Sequence, residues 1–498
     1  MDLLRVPCAE SPVNETAARE TAKSVELLRE ALDAHELYFC RDPEHDVTQT
    51  LQRRLSMTHS DSSAWKRCDR RFFWNQHVVA PLVQAGADEW VTPVMNAFVR
   101  AVPVPLERID SHAAKNGTVK GSLLLISRRS AERQGTRFLR GVNDQGQVAN
   151  FVETEQVALV DGGAASAHVQ IRGSVPLFWG HPAHLKYRPP LRLDTDQERH
   201  RLALEKHISA LRQLYGSIVF VNLIDKTKEQ GELGKLLRHS LSTLAVRLRA
   251  ERKSPSEPSP LRHVWFDFHH ECKNMQWGNL GRLEELCKPD IKFHSFFSLH
   301  PEEQDADRAQ RGVLRTNCID CLDRTNVVQS IFARKLLDEQ LADLGLRVPA
   351  DHFKGFDTTF RGLWSDNADA IAVLYAGTGA LKGDFTRRGK RTKLGILRDG
   401  VNAVQRYYMN HFVDPERQEG LDLLLFGRRE PRETTLRVAS STKAAALRRA
   451  TSLRAATTLV MASVLLLIQT LVSRAALFDK LQSVATSAMV GGGGGGGG

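Results

Sequence analysis

The sequence predicts an α/β protein in two unlike parts, an α+β N-terminal part followed by an α/β domain built around a Cys-x5-Arg loop. Three observations lead there. Between Gly121 and Val175, short β-prone runs are punctuated by Gly and Asn, the pattern of an antiparallel sheet. After a cluster of prolines (Pro182, Pro189, Pro190), continuous apolar β-branched runs alternate with stretches of helical spacing, the pattern of a buried parallel sheet. The loop Cys318 to Arg324 lies between one such run and one such helix.

In chain order, Ala17 to Ala34 is rich in Ala, Glu and Leu and reads as a helix. Leu37 to Cys40 and Val47 to Leu55 lead into a polar loop, His59 to Ser63. Arg71-Phe-Phe-Trp-Asn75 is expected to pack at the edge of a core. Leu123 to Ile126, Val148 to Phe151, Gln156 to Val160 and His168 to Ile171 are the strand candidates, and Asn143-Asp-Gln-Gly146 reads as a hairpin turn. Beyond the prolines, Ser217 to Ile224 and Arg262 to His269 are expected as buried strands, with a helix over Leu233 to Ala250 and a Ser/Pro-rich loop over Lys253 to Pro260.

The chain has 498 residues, so two or three domains are expected. Its 7 cysteines, an odd number thinly spread, fit a reducing compartment better than a disulfide framework. A net charge of +11 implies an anionic partner, whether nucleic acid, membrane or a phosphorylated substrate. The first residues lack the apolar run of a signal peptide. Arg428 to Arg454 is basic without a core pattern and reads as a juxtamembrane linker. Ala455 to Ser473 carries no charge and is long enough to cross a bilayer, with the more basic flank on its N-terminal side. Gly491 to Gly498 is low-complexity.

The chemistry concentrates in Arg315-Thr-Asn-Cys-Ile-Asp-Cys-Leu-Asp-Arg-Thr-Asn326. Five residues between the Cys318 sulfur and the Arg324 guanidinium let the backbone curl into a cup of inward N–H groups. A helix starting near Thr325 adds its positive end, a place where anions bind. In that field the Cys318 thiol is expected to ionise below its free value of about 8.5 and act as nucleophile. Arg324 is expected to grip two phosphate oxygens. Asp320 and Asp323 are the candidates to supply or orient a proton. Asn317, Ile319, Cys321, Leu322, Thr325 and Asn326 complete the candidate phosphate-binding loop. Cys318 and Cys321 also form a Cys-x-x-Cys, which fits a redox pair or half a zinc site, but no second such pair stands elsewhere. Downstream, Gly377-Thr-Gly379 reads as a flexible turn. Lys382, Arg387, Lys390 and Arg391 form a basic run, which is either a solvated face or a site for an anionic headgroup.

These motifs resemble those of the Sac-domain phosphoinositide phosphatases, most of all the integral-membrane members. The resemblance runs from about Glu36 to Gly427. Its carriers include Phe73-Trp-Asn75, Arg137-Phe-Leu-Arg-Gly141, Ala149-Asn-Phe-Val-Glu-Thr-Glu-Gln156, Arg172-Gly-Ser-Val-Pro-Leu-Phe-Trp179 and Phe266-Asp-Phe-His269. Asn317 to Asn326, Trp364-Ser-Asp-Asn-Ala368 and Tyr375-Ala-Gly-Thr-Gly-Ala-Leu-Lys382 complete the set. The resemblance implies an N-terminal Sac subdomain (1–172) packed on a Cys-x5-Arg phosphatase domain (173–427), then the linker (428–454), a transmembrane helix (455–473) and a tail (474–498). It also implies hydrolysis of phosphatidylinositol phosphates, most of all the 4-phosphate, through a cysteinyl-phosphate, with no metal and no cofactor. The expected partners are the lipid substrate and the bilayer rather than nucleic acid. The expected place is the endoplasmic reticulum and Golgi membrane with the catalytic domain cytosolic. Two rival readings are a catalytically weak phosphoinositide-binding membrane tether and a protein-tyrosine phosphatase.

Overall fold

The computed structural model describes residues 15–34, 36–57, 63–109, 119–135, 139–181, 190–250, 259–273, 276–300, 308–381, 383, 387 and 392–427. Lys382, Lys390 and Arg391, the linker, the expected transmembrane helix and the tail lie outside them. Among the described residues no helix is long and apolar enough to cross a membrane.

The N-terminal part opens with α1 (Glu15–Asp33), β1 (Leu37–Tyr38) and three short helices, α2 (Leu51–Ser56), α3 (Ala64–Arg67) and α4 (Ala80–Gln84). A meander follows, made of β2 (Met95–Arg108), β3 (Val119–Arg129), β4 (Val152–Val160) and β5 (Ala165–Arg172), each antiparallel to the next. Gly146 N–H closes the expected turn on Asn143 O at 3.0 Å. Phe72, Phe73 and Trp74 are buried, as the aromatic cluster predicted.

Strand β2 was not foreseen, because Pro103 and Pro105 interrupt its apolar pattern. Its position explains why they are tolerated. Ala97 N–H points away from β3, to Glu36 O, so the alternate residues 99, 101, 103 and 105 also face the outer side. The missing proline N–H groups fall on that rim, where β1 and β12 (Leu346–Arg347) pair only with the two ends of β2.

The second part begins with β6 (Trp179–Gly180) and β7 (Arg192–Leu193), then α5 (Gln197–Tyr215), β8 (Ser217–Asn222), α6 (Lys228–Ala250), β9 (Leu261–Trp265) and α7 (Phe268–Glu271). It continues with α8 (Leu280–His294), β10 (Phe297–Leu299), β11 (Gly312–Asn317), α9 (Asp323–Asp343) and α10 (Phe353–Ala376), and ends in helices Lys393–Tyr408 and Asp414–Phe426. The expected strand over Arg262 to His269 stops at Trp265. Asp267 accepts a hydrogen bond from His270 N–H at 3.0 Å and so caps α7 instead.

One mixed sheet runs through both parts in the order β1-β2-β3-β4-β5-β11-β8-β9. The first half of β5 pairs with β10, and its end pairs in parallel with β11, which is parallel to β8 as β8 is to β9. Every residue of β11 is buried, which is why its sequence shows no polar alternation. Its two faces are covered differently. Val313, Ile218 and Phe220 pack with Leu204, Leu211 and Leu233 of α5 and α6. Leu314, Val219 and Val221 pack with Leu283, Val328 and Phe332 of α8 and α9. At about 1.5–3 kcal/mol for each fully buried side chain of this size, the sandwich fixes where β11 ends and α9 begins. The loop from Cys318 to Leu322 spans that gap.

Candidate active site

Strand β11 delivers Cys318 to the C-terminal edge of the sheet, beside the end of β8. Asn317 Nδ2 donates to Asn222 Oδ1 at 2.7 Å, and Leu223 N–H donates to Asn317 O at 2.9 Å. The two strand ends are therefore locked together. The chain then turns sharply: Cys321 takes a left-handed conformation (φ 57°), uncommon for a residue with a side chain. Asp320 Oδ1 stabilises the turn by accepting from Leu322 N–H at 3.2 Å. Helix α9 starts at Asp323, as expected, and Asn326 N–H closes its first turn on Leu322 O.

The result is a cup around sulfur. Cys318 Sγ accepts from Cys321 N–H at 3.1 Å and from the Thr325 hydroxyl at 3.5 Å, and its own S–H donates to Asp320 Oδ1 at 3.1 Å. Cys321 faces elsewhere, donating its S–H to Gly173 O at 3.1 Å and Cys318 O at 3.4 Å. The two thiols are thus in different chemical surroundings. Donors and Arg324 converge on Cys318, whereas carbonyl oxygens surround Cys321.

The electrostatics correct one expectation. Burial, followed by the Cys321 contact and the Asp320 carboxylate, pushes the Cys318 thiol well above its ordinary range, against the pull of Arg324. The expected drop counted the helix end and the arginine but not the loss of water or the carboxylate beside the sulfur. Burial also works against ionised Asp320, but Arg324 and the Cys318 hydrogen bond outweigh it and hold that carboxyl low.

Arg324 is held beside the cup by Asp225, Nη1 to Oδ1 at 3.6 Å. Burial opposes its charge, but Cys318, Asp320 and Asp225 together raise it further above the usual guanidinium range. Asp323 turns away from the sulfur. Its Oδ1 accepts from Leu381 N–H at 2.7 Å, and its Oδ2 lies 3.5 Å from Arg406 Nη1. Arg406 in turn donates to Thr378 Oγ1 and Gly379 O, so Asp323 ties the Gly-Thr-Gly turn to the start of α9. Gly377, with φ 70°, is where α10 ends and that turn begins.

Of the other expected site residues, Asn317, Cys321, Leu322, Thr325 and Asn326 are buried in or behind the loop, and Ile319 is half-buried. Asn326 serves the scaffold, donating to Trp364 O and accepting from Arg172 and Asn367. Arg387 is engaged with α10: it donates to Ser365 Oγ at 2.9 Å and pairs with Asp366 at 2.8 Å and Asp369 at 3.0 Å. Asp366 is also paired with Arg100. Asp267 is occupied as a cap and by Lys226 N–H.

Three charged residues near the loop escaped the reading of the sequence as site members. Arg172 donates to Cys321 O at 3.5 Å, and buried Arg140 lies in the field of Asp320 and both cysteines. Asp225 is the third. Its signal is topological: it follows the strand next in the sheet to β11, at the carboxyl edge where open α/β sheets bind ligands. Among the described residues no group of three His, Cys, Asp or Glu stands together as a metal site.

The SacI homology domain family matches residues 3–273. The chain is 38% identical over 422 residues to the phosphatidylinositol-3-phosphatase SAC1 of Drosophila melanogaster, covering 83% of this chain and 66% of that protein. It is 34% identical over 430 residues to the phosphoinositide phosphatase SAC6 of Arabidopsis thaliana (84% and 68%). To the phosphatidylinositol-3-phosphatase SAC1 of Saccharomyces cerevisiae it is 35% identical over 433 residues (83% and 65%). The chain thus spans about two thirds of the length of these curated relatives.

Proposed function

The chain belongs to the SacI-homology family of phosphoinositide phosphatases, and from that membership we propose that it hydrolyses the monoester phosphate of phosphatidylinositol phosphates, most of all the 4-phosphate, through a cysteinyl-phosphate. One observation carries the reading: Cys318 Sγ sits in a cup with a backbone N–H, a hydroxyl and the Arg324 guanidinium around it.

In this reading the Cys318 S–H proton passes along its hydrogen bond to Asp320 as sulfur attacks phosphorus. The loop N–H groups and Arg324 hold the equatorial oxygens, where charge builds up in the transition state. The inositol oxygen leaves, water hydrolyses the phosphocysteine, and the thiol recovers its proton. Cys321 keeps the left-handed turn and supplies a loop N–H, and Asp323 anchors the loop. Lys382, Lys390 and Arg391 remain proposed headgroup or membrane contacts, while Arg387 is held against α10 by Ser365, Asp366 and Asp369. Residues 455–473 are proposed to anchor the enzyme in the endoplasmic reticulum and Golgi membrane with the loop in the cytosol.

The test is phosphate release from a panel of phosphoinositides and a phosphotyrosyl peptide, with Cys318→Ser as control. We expect fastest release from the 4-phosphate and none from the Ser variant. The names of the fly and yeast relatives specify the 3-phosphate, so preference for that position refutes our positional assignment. Binding without release leaves a tether, and preference for the peptide makes the chain a protein phosphatase.

A further inference from the structure

The proton that the departing inositol oxygen needs has no donor among the residues so far placed. An alkoxide is a poor leaving group, so breaking its bond to phosphorus requires an acid on the side of the phosphate away from sulfur. Asp320 is on the sulfur side, with Oδ1 committed to the thiol and to Leu322 N–H. Asp323 is committed to Leu381 and Arg406. Asp225 is placed differently. Its Oδ1 lies 3.6 Å from Arg324 Nη1 and 3.7 Å from His269 Nδ1. That oxygen is buried and makes no hydrogen bond among the described residues.

The position is built rather than incidental. Asp225 N–H donates to Gln230 Oε1 at 3.1 Å, Lys226 N–H donates to Asp267 Oδ2 at 2.8 Å, and Leu223 N–H donates to Asn317 O. The turn after β8 is thereby fastened to β11 on one side and to the cap of α7 on the other. Asp225 thus stands 3.6 Å from the guanidinium that also feels the charges of Cys318 and Asp320. A phosphate gripped by Arg324 and attacked by Cys318 therefore comes within reach of Asp225. His269, whose side chain is 67% exposed, stands beside that carboxylate at the solvent edge.

The geometry points to Asp225, with His269 behind it, as the acid–base group of this site. This assignment rests on the phosphatase reading above. An arriving phosphate dianion takes over the Arg324 N–H groups and frees Asp225 from its ion pair. In the first step the S–P bond forms, the P–O bond to inositol breaks, and the Asp225 proton goes to the leaving oxygen. In the second, a water oxygen bonds to phosphorus as the P–S bond breaks. One water proton goes to Asp225, and the sulfur leaves as a thiolate that regains its proton from Asp320. The sum is phosphomonoester plus water to alcohol plus phosphate, and His269 exchanges protons with solvent between turnovers.

The experiment compares two leaving groups on the full chain. 4-Nitrophenyl phosphate departs as a stable phenolate that needs no proton, whereas a short-chain phosphatidylinositol 4-phosphate needs one. For Asp225→Asn we expect about one equivalent of nitrophenolate per chain at close to the unmodified rate, followed by a stall, because water is no longer activated. Lipid turnover is expected to fall about a hundredfold or more. Asp225→Glu, which keeps a carboxylic acid, is expected to recover lipid turnover to within about tenfold of the unmodified chain. A first turnover that slows equally on both substrates shows that Asp225 only orients Arg324, and unchanged lipid turnover removes it altogether. A Glu variant as slow as the Asn variant also overturns the assignment. The phosphatase reading is judged separately: it fails if the unmodified chain releases phosphate from no phosphoinositide, or if Cys318→Ser still gives the nitrophenolate burst.

Discussion

Two groups of buried arginines flank β4 and β5, and they are neutralised in opposite ways. On one side Arg71 and Arg128 sit among carboxylates. Arg128 pairs with Glu153 at 3.0 Å and Glu155 at 2.6 Å, and Arg71 pairs with Asp69 at 2.7 Å and Glu153 at 3.2 Å. On the other side Arg140, Arg172 and Arg315 surround the catalytic loop with no carboxylate in ion-pair range among the described residues. Arg315 rests on Gly173 O and Ser174 O and over the Phe220 ring, and Arg172 on Cys321 O and Asn326 Oδ1. Burial draws both down to about 10. The first group is a closed circuit whose charges cancel within the fold. The second leaves positive charge in place beside the loop, a cost to folding that an incoming phosphate offsets. Burial and residue type do not separate these two groups; the sign of their neighbours does.

The contrast can be broken from either side. The largest effect is expected at Arg128→Ala, which takes the arginine from Glu155 and leaves Glu153 with Arg71 as its one arginine, and should cost about 3–5 kcal/mol of stability, read from the urea midpoint. A loss below about 1 kcal/mol would mean that the circuit is not closed as described.

Next in size, Arg324→Lys keeps the charge and loses the two-point grip. We expect about 2–4 kcal/mol less transition-state stabilisation in kcat/KM with the fold intact. Near-normal activity takes Arg324 out of the mechanism. Smaller still, Arg172→Met is expected to change stability by less than about 1 kcal/mol, since a buried charge without a carboxylate adds little to the fold. KM for the lipid should nonetheless rise about tenfold, or 1.4 kcal/mol. If Arg172→Met unfolds the chain as Arg128→Ala does, the two groups are alike and the comparison fails.

The smallest effect concerns pH. A thiol pushed upward is protonated at neutral pH, and its thiolate appears only as pH rises through the raised value. Asp320→Asn removes a negative neighbour, so alkylation of Cys318 by iodoacetamide, followed in a Cys321→Ser background, should begin at lower pH than in the parent. An onset moved to higher pH reverses the electrostatics described here.

How much was legible follows from the range of each relation. The loop could be read because its chemistry lies in one run of residues: strand, cup, arginine and helix are consecutive from Gly312 to Asn326. Asp225 could not, because its relation to Arg324 crosses two strands and about a hundred positions of chain. Arg387 was read within a basic run as either a solvated residue or a headgroup contact; Asp366 and Asp369 meet it from α10, a neighbourhood that a run of basic letters does not display. The α7 cap was missed because Phe266-Asp-Phe-His269 alternates like a strand, and only the hydrogen bond from His270 N–H to Asp267 reveals the turn.

Among the described residues the middle of the β2 rim, between β1 and β12, pairs with no strand. A bare strand edge is a template on which another molecule can add a strand of its own, the first step towards insoluble fibres. Between Ala97 and Glu107 this edge offers two prolines, at 103 and 105, where an invading strand would look for donors. Alternate partners in any added ladder would find carbonyls without N–H groups, so the ladder could not propagate past them. The two residues that hid β2 from the sequence pattern are thus the ones that keep it from joining its copies.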